Sequence, residues 1–284
     1  VYAKNSTERY ISEEIIDDYI ISGSAIELLT ADNINIANDS CIISNNGDYT
    51  ITGTSDSNTI VVESGVTANI TVHNLDITSD KAPIAINRGA KVNLYLSGNS
   101  SLKANKDSYN AGIYVANDAF LTIYGDGYLD VIGGYGSAGI GSNYFDPDFG
   151  TGILGKGNIE IKGGNITARG GTKGAGIGGY ARYSKSNGDK VLENVYAITG
   201  KTIISGGNIT AYGGNEAAGI GGGYREGTGN TIEINGGNIT AYGGENAVGI
   251  GTGCYGYNQN KCINGDLIFN GGIVKAYGGK GQAG

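Results

Sequence analysis

Short runs of alternating apolar and polar residues, separated by glycine-rich turns, fill most of this chain. Residues 49–52, 60–62 and 69–72 are early examples, with Ile or Val at alternate positions and Thr or Asn between them. A period of two predicts β-strands with one buried face. The pattern therefore predicts many short strands joined by turns.

One glycine-bracketed phrase recurs in the second half of the chain. The copies are GGNITARGG at 163–171, GGNITAYGG at 206–214 and 236–244, and GGIVKAYGG at 271–279. A second phrase follows the first three copies: AGIGG at 175–179 and 218–222, and VGIGT at 248–252. The first phrase recurs at intervals of 43, 30 and 35 residues. Unequal intervals of this size indicate a repeat array with a constant core and loops of variable length.

The whole coil repeats, and no tight hairpin does, so the strands should stack in parallel from coil to coil. The place of AGIGG is taken earlier by segments that begin at Ala82 and Ala111, which gives coils of about 27–30 residues. We therefore predict an all-β fold, a right-handed parallel β-helix (solenoid), with loops inserted on one edge.

Alternation within the repeat predicts which side chains face the interior. Ile and Ala share one parity, and the inward positions are Ile166, Ile209, Ile239, Val274, Ala168, Ala211, Ala241 and Ala276. The outward positions form one ladder of Thr167, Thr210, Thr240 and Lys275, and another of Arg169, Tyr212, Tyr242 and Tyr277. Stacked tyrosines predict either a strip that binds sugar rings or a ladder that only packs on itself.

Residues 1–41 contain few glycines and two acidic pairs, and they are predicted to cap the first coil. Residues 42–284 are predicted to form the β-helix. The last repeat copy is followed by residues 280–284 without a new AGIGG phrase. We therefore expect the sequence to be a fragment truncated in mid-coil, with further domains in a longer chain.

All the long insertions follow the AGIGG phrase, at 143–156, 180–201, 224–230 and 254–264. Loops stacked on one edge of a solenoid often form its binding face. The candidate carbohydrate-binding residues are Tyr144, Phe145, Tyr180, Tyr183, Tyr196, Tyr224, Arg225, Tyr255 and Tyr257 from these loops, with Tyr212, Tyr242 and Tyr277 from the ladder. The alternative is that these insertions are surface loops without a binding role.

Composition narrows the partners and the location. Glycine is extreme at 53 residues and proline is only 2, which excludes collagen. The net charge of −8 without a basic stripe argues against nucleic acid, and the lack of an apolar run of about 18 residues argues against membrane insertion. The start Val1-Tyr2-Ala3 resembles residues before a secretory cleavage site. We expect a secreted or cell-surface protein.

Metal and thiol chemistry are left open. Asp146 and Asp148 flank a proline and could bind Ca²⁺, or they could form a plain acidic turn. Cys254 and Cys262 flank a loop and could pair as a disulfide or remain free thiols. His73 is the sole histidine and lacks a partner motif, so no nucleophile–His–acid constellation is proposed, and no catalytic residue is assigned.

The repeat of GGNITAYGG followed by AGIGG resembles the glycine-rich β-helical regions of large surface proteins from Gram-positive anaerobic bacteria. These are carbohydrate-binding or adhesin-type proteins within the pectate-lyase-like superfamily. The resemblance covers roughly residues 42–284. It implies secretion, a right-handed β-helix, binding of polysaccharide or glycoprotein glycans, and in some members calcium. The Gly-His-Gly and Arg-Ile-Lys motifs of polygalacturonase-type members are missing here.

Three functions remain after these observations. The first is a glycan-binding or adhesin module that uses exposed tyrosines. The second is a structural spacer of a large surface protein. The third is a polysaccharide lyase, whose catalytic arrangement has no linear motif, so enzyme activity is left open. Fold alone does not choose between them, because function depends on the site.

Overall fold

The computed structural model describes residues 32–144, 157–181, 200–224, 231–253 and 265–280, and the backbone of two short strands near the amino end. Those two strands, β1 (Tyr2–Asn5) and β2 (Glu8–Tyr10), pair antiparallel in a sheet of their own. All the other strands pair in parallel, and each pairs with strands one coil away. The chain is an all-β parallel β-helix, as the repeat predicted.

Each coil contributes to three faces of the solenoid. The strands of the first face are β3 (Asp32–Asn35), β5 (Gly47–Ser55), β7 (Thr67–Ser79), β9 (Lys91–Ser97), β12 (Phe120–Gly125), β15 (Asn158–Ile161), β18 (Thr202–Ile204), β21 (Ile232–Ile234) and β24 (Leu267–Phe269). The early strands β5 and β7 bend and continue into the second face. The parallel pairing of β3 with β5 begins at Asp32, ahead of the predicted start at residue 42, and the capping role of residues 1–41 stays a prediction.

The second and third faces complete the coil. The later strands of the second face are β10 (Asn99–Ala104), β13 (Tyr128–Ile132), β16 (Asn165–Arg169), β19 (Asn208–Tyr212), β22 (Asn238–Tyr242) and β25 (Ile273–Tyr277). The third face consists of β4 (Cys41–Ile43), β6 (Ile60–Val62), β8 (Ile84–Ile86), β11 (Ile113–Val115), β14 (Ile140–Gly141), β17 (Ile177–Gly178), β20 (Ile220–Gly221) and β23 (Ile250–Gly251). The right-handed sense of the coil stays a prediction.

The register confirms the repeat frame read from the sequence. Ile166 pairs with Ile209, and Ile209 with Ile239, although the intervals along the chain differ. On the third face, Ile113 pairs with both Ile84 and Ile140, so the early AGIGG-like segments occupy the predicted place. Insertions therefore change the length of a coil without moving its core residues.

The interior is a continuous stack of aliphatic side chains. Isoleucine and alanine are buried at the predicted positions of the first three copies, as Ile209, Ile239, Ala211 and Ala241 show, and Val274 and Ala276 of the last copy are half-buried. The alternating threonines point outward and are half-buried. Each coil hides its apolar face only against its neighbours, so stability comes from stacking.

The glycine of the Ile-Gly strands is required by close packing between coils. At Gly178, φ is +127°, and an added Cβ would lie 2.2 Å from the carbonyl oxygen of Gly221. A side chain at this position would collide with backbone that cannot move out of the way. Packing between coils thus explains this glycine of the AGIGG phrase.

The end strands of the described part differ from the rest. In β24, Leu267 and Phe269 are exposed, whereas the matching Ile232 and Ile234 of the preceding coil are buried. No described segment forms a helix long and apolar enough to cross a bilayer.

Candidate functional site

The chain returns to the same edge of the solenoid after each late third-face strand. The backbone N–H of Tyr144 donates to the carbonyl of Tyr109 at 3.2 Å, that of Ala181 to Gly136 at 2.6 Å, and that of Tyr224 to Lys173 at 2.9 Å. Each acceptor lies at the corner between the second and third faces, one coil earlier. The first residues of three of the four long insertions are therefore aligned on one edge.

Three tyrosines from this edge form a compact aromatic cluster. The Tyr109 and Tyr144 ring centroids are 5.3 Å apart, and Tyr135 meets both rings nearly edge-on, at 5.8 and 6.1 Å. We call Tyr109, Tyr135 and Tyr144 the tyrosine cluster. Burial, together with the neighbouring Tyr135 and Tyr109, raises the pKa of the Tyr144 hydroxyl.

Beside the tyrosine cluster lies a depression with a volume of about 380 Å³. Its lining residues are Asp80, Asp107, Ser108, Tyr109 and Asn110. The side chain of Tyr109 belongs to both features and is 45% exposed, so an aromatic ring borders a polar hollow. We call this hollow the Asp80–Tyr109 depression.

A network of amide hydrogen bonds holds the wall of the depression in place. Asn105 donates from Nδ2 to Oδ1 of Asp80 at 2.6 Å, and Asn110 donates to the Asp80 carbonyl at 2.9 Å. Asn143 donates from Nδ2 to Oδ1 of Asn110 at 3.3 Å and accepts from the N–H of Ala111 at 2.6 Å. These bonds link three coils around the residues that flank Tyr109 and Tyr144, so the site is largely pre-formed.

Only one member of this site was predicted from the sequence. Tyr144 was predicted, whereas Asp80, Asp107, Tyr109 and Tyr135 were missed. These residues lie in turns between the second and third faces, where the early coils do not contain the glycine phrase. The register of Ile113 against Ile84 and Ile140, already suggested by the spacing of the early segments, would have aligned these turns.

The predicted tyrosine ladder exists, but its rings cover one another. Tyr212 and Tyr242 stack at 4.9 Å and 8°, and Tyr242 and Tyr277 at 5.0 Å and 12°. Arg169 continues the stack, with its guanidinium carbon 5.1 Å from the Tyr212 centroid, and it pairs with the carboxylate of Asp130. A sugar cannot lie flat on a ring face that already contacts another ring. The ladder offers edges and hydroxyl groups, and its binding role stays a prediction.

Two predicted residues are not exposed. Tyr180 is 6% exposed and Tyr224 is 8% exposed, so neither ring lies open at the surface, and their part in glycan binding stays a prediction. The physical reason is the turn back to the preceding corner, which packs this segment against the solenoid. The Lys173 ammonium lies 3.7 Å from the Tyr224 ring centroid and covers it.

The remaining predicted residues lie outside the described residues. They are Phe145, Tyr183, Tyr196, Arg225, Tyr255 and Tyr257, the calcium candidates Asp146 and Asp148, and the cysteines Cys254 and Cys262. Among the residues that are described, no group of three or more His, Cys, Asp or Glu side chains could hold a metal ion.

Comparison with known proteins agrees with the architecture. A family model described as a beta helix repeat matches residues 121–144, 159–180, 203–224 and 232–254. Each match runs from a first-face strand through the following third-face strand, so the chain is similar to these repeats coil by coil. No curated protein and no solved structure matches the chain significantly. The class of protein that the fold defines is therefore a parallel β-helix built from such repeats.

Proposed function

We propose that this chain is a glycan-binding module of a secreted or cell-surface protein, with its binding site at the tyrosine cluster and the Asp80–Tyr109 depression. One observation carries the proposal. An exposed tyrosine ring borders a polar hollow whose wall is held by hydrogen bonds across three coils.

The chemistry of this wall suits a sugar. A pyranose has an apolar face, which packs on an aromatic ring, and a rim of hydroxyl groups, which need donors and acceptors. Tyr109 supplies the ring, while Asp80, Asp107 and Asn110 supply the polar groups. The volume falls within the range of about 300–1,000 Å³ that is usual for ligand pockets. A hollow of this size suits a short segment of a glycan.

The proposed location is the cell surface or the outside of the cell. It is supported by the resemblance of the repeated phrase to surface proteins of anaerobic Gram-positive bacteria. Similarity to beta helix repeats is consistent with such a module and with a lyase alike. Bound calcium, if present, would be a feature of the insertion at Asp146 and Asp148.

A structural spacer is the second candidate, and a different observation favours it. Asn238 donates to Asn208 at 2.9 Å and Asn208 to Asn165 at 2.8 Å, so the second-face amides form a ladder along the solenoid axis. With the stacked tyrosines beside them, these polar side chains bond to one another. A face whose polar side chains hydrogen-bond to one another suits a stiff rod.

A glycan array with the whole chain separates these functions. The proposal predicts binding to a defined set of glycans, loss of that binding in Tyr109→Ala, and retention in Tyr128→Ala, which removes an exposed tyrosine of the second face. Tyr277→Ala tests the ladder, because Tyr277 is 47% exposed and Tyr109 is 45% exposed, so the two variants remove rings of similar exposure. Binding lost only in Tyr277→Ala moves the site to the ladder, and binding to no glycan favours the spacer. Ultraviolet absorbance from unsaturated uronides would instead reveal a lyase.

A further inference from the structure

The charged side chains that line the Asp80–Tyr109 depression are all acidic. Asp80 and Asp107 line it, and the other lining residues are neutral. Lys81 and Lys106 adjoin these aspartates in the sequence and are exposed, but they are not among the lining residues. A ligand in the hollow therefore meets two carboxylates and no cation of the wall.

The two carboxylates differ in how they are held. The Oδ1 atom of Asp80 accepts the Asn105 amide at 2.6 Å, which fixes that side chain and leaves its second oxygen for a ligand. Asp107 is exposed, and no hydrogen bond or ion pair is present at its carboxylate within the described residues. Tyr109 adds a ring face, which attracts cations through its quadrupole.

We propose that the depression selects sugars that carry a free ammonium group, as glucosamine-type residues do, and rejects sugars that carry a carboxylate. This inference rests on the proposed glycan-binding function and names its ligand class. A unit charge about 4 Å from a carboxylate in water changes affinity roughly fivefold. An ammonium that also contacts the Tyr109 face gains from both groups, whereas a uronate is repelled by both aspartates.

The test is calorimetric titration of the whole chain with glucosamine oligosaccharides of one length. One sample is fully N-acetylated, one is fully deacetylated, and an oligogalacturonate of equal length is the third probe. The deacetylated form should bind about fivefold more tightly than the acetylated form or better. The oligogalacturonate should not bind, and added salt should reduce the preference.

Two aspartate variants locate the charge effect. Asp107→Asn should reduce the preference for the deacetylated form about fivefold. Asp118→Asn is the matched control, because Asp118 is an exposed aspartate that lies 3.7 Å from Arg88 at a different corner. Equal losses in the two variants would show unspecific attraction to the net charge of −8, which would overturn the inference.

The inference and the proposed function can fail separately. If the acetylated and deacetylated forms bind equally and Asp107→Asn changes nothing, while Tyr109→Ala still abolishes binding, the ammonium inference is wrong and the glycan site stands. If Tyr109→Ala leaves the binding of all probes unchanged, both are wrong. A higher affinity for the oligogalacturonate than for either glucosamine form would also overturn the inference.

Discussion

Tyr212 and Tyr242 stack face to face on adjacent coils, with ring centroids 4.9 Å apart and planes 8° from parallel. The separation equals the strand spacing of about 4.8 Å, so the ladder follows directly from the parallel register. The ring faces of the ladder therefore contact one another. The ladder therefore contributes to the stability of the coil stack, and Tyr109, which is 45% exposed and borders the Asp80–Tyr109 depression, is the better candidate for a ligand.

The middle ring of the ladder should matter most for stability. Tyr242→Ala removes two stacking contacts at once, those with Tyr212 and Tyr277. It should lower the free energy of unfolding by about 1–3 kcal/mol, because each aromatic pair contributes about 0.5–1.5 kcal/mol beyond its buried area. Chemical denaturation measures the change. Tyr128→Ala, which removes a tyrosine without a ring partner among the described residues, should cost less. Equal costs would show that stacking adds nothing.

Parity within the repeat can be tested with neighbouring residues. Ile209 is buried in the aliphatic stack, and Ile209→Ala should destabilise the protein by about 2–5 kcal/mol through lost contacts and a cavity. Thr210→Ala, one residue further on the outward face, should change stability by about 0.5 kcal/mol or less. Denaturant midpoints of the two variants give the comparison, and the reverse order would contradict the assigned register.

Two glycines with positive φ should respond differently to the same substitution by alanine. Gly65→Ala places a Cβ in open space at φ +77°, so its cost should be about 1–2 kcal/mol from the backbone conformation alone. Gly178→Ala adds a collision with the Gly221 carbonyl and should cost several kilocalories per mole or prevent folding. Thermal melts of both variants test this, and similar melting temperatures would argue against the tight third face.

One surface carboxylate should titrate abnormally. Glu233 accepts hydrogen bonds from the Lys201 ammonium and from Asn235 at 2.9 Å, and these hold the pKa of Glu233 below its ordinary value of 4.5. Since the folded-state pKa is lowered, this interaction stabilises the protein above the unfolded pKa and is lost as pH falls through the folded pKa.

Lys201→Gln removes the largest cause of this shift, so the pKa of Glu233 should rise toward its ordinary value. Carboxyl titration by NMR spectroscopy measures it. Lys162→Gln is the control, because that ammonium lies 3.1 Å from the carboxylate of Glu160 and not beside Glu233. A Glu233 midpoint that ignores Lys201→Gln would refute the assigned pairing.

The repeat allowed the fold to be predicted from the sequence. Copies of GGNITAYGG specify the strand, its parity and its partner in the next coil, because identical residues stack in a parallel register. Ile209 and Ala211 could therefore be placed inside, and Thr210 and Tyr212 outside, before the structure was known.

The site was harder to predict from the sequence, because it depends on how turns of different coils meet. Tyr109 and Tyr135 belong to turns of unlike sequence, and only the backbone path brings them within 5.8 Å. The burial of Tyr224 was not predicted for a related reason. A tyrosine at the start of an insertion suggested exposure, whereas its N–H bond to Lys173 turns it into the preceding corner. Loop residues lack the periodicity that identifies a buried strand position.

Hydrogen–deuterium exchange with and without the best ligand of the glycan array shows directly whether a glycan binds at the tyrosine cluster. We expect slower exchange in residues 105–111 and 133–144, which carry the tyrosine cluster, and unchanged exchange in β19 and β22. Tyr109→Ala should abolish that protection at the same ligand concentration. Protection confined to the second-face ladder, or no protection by any glycan, would contradict the account.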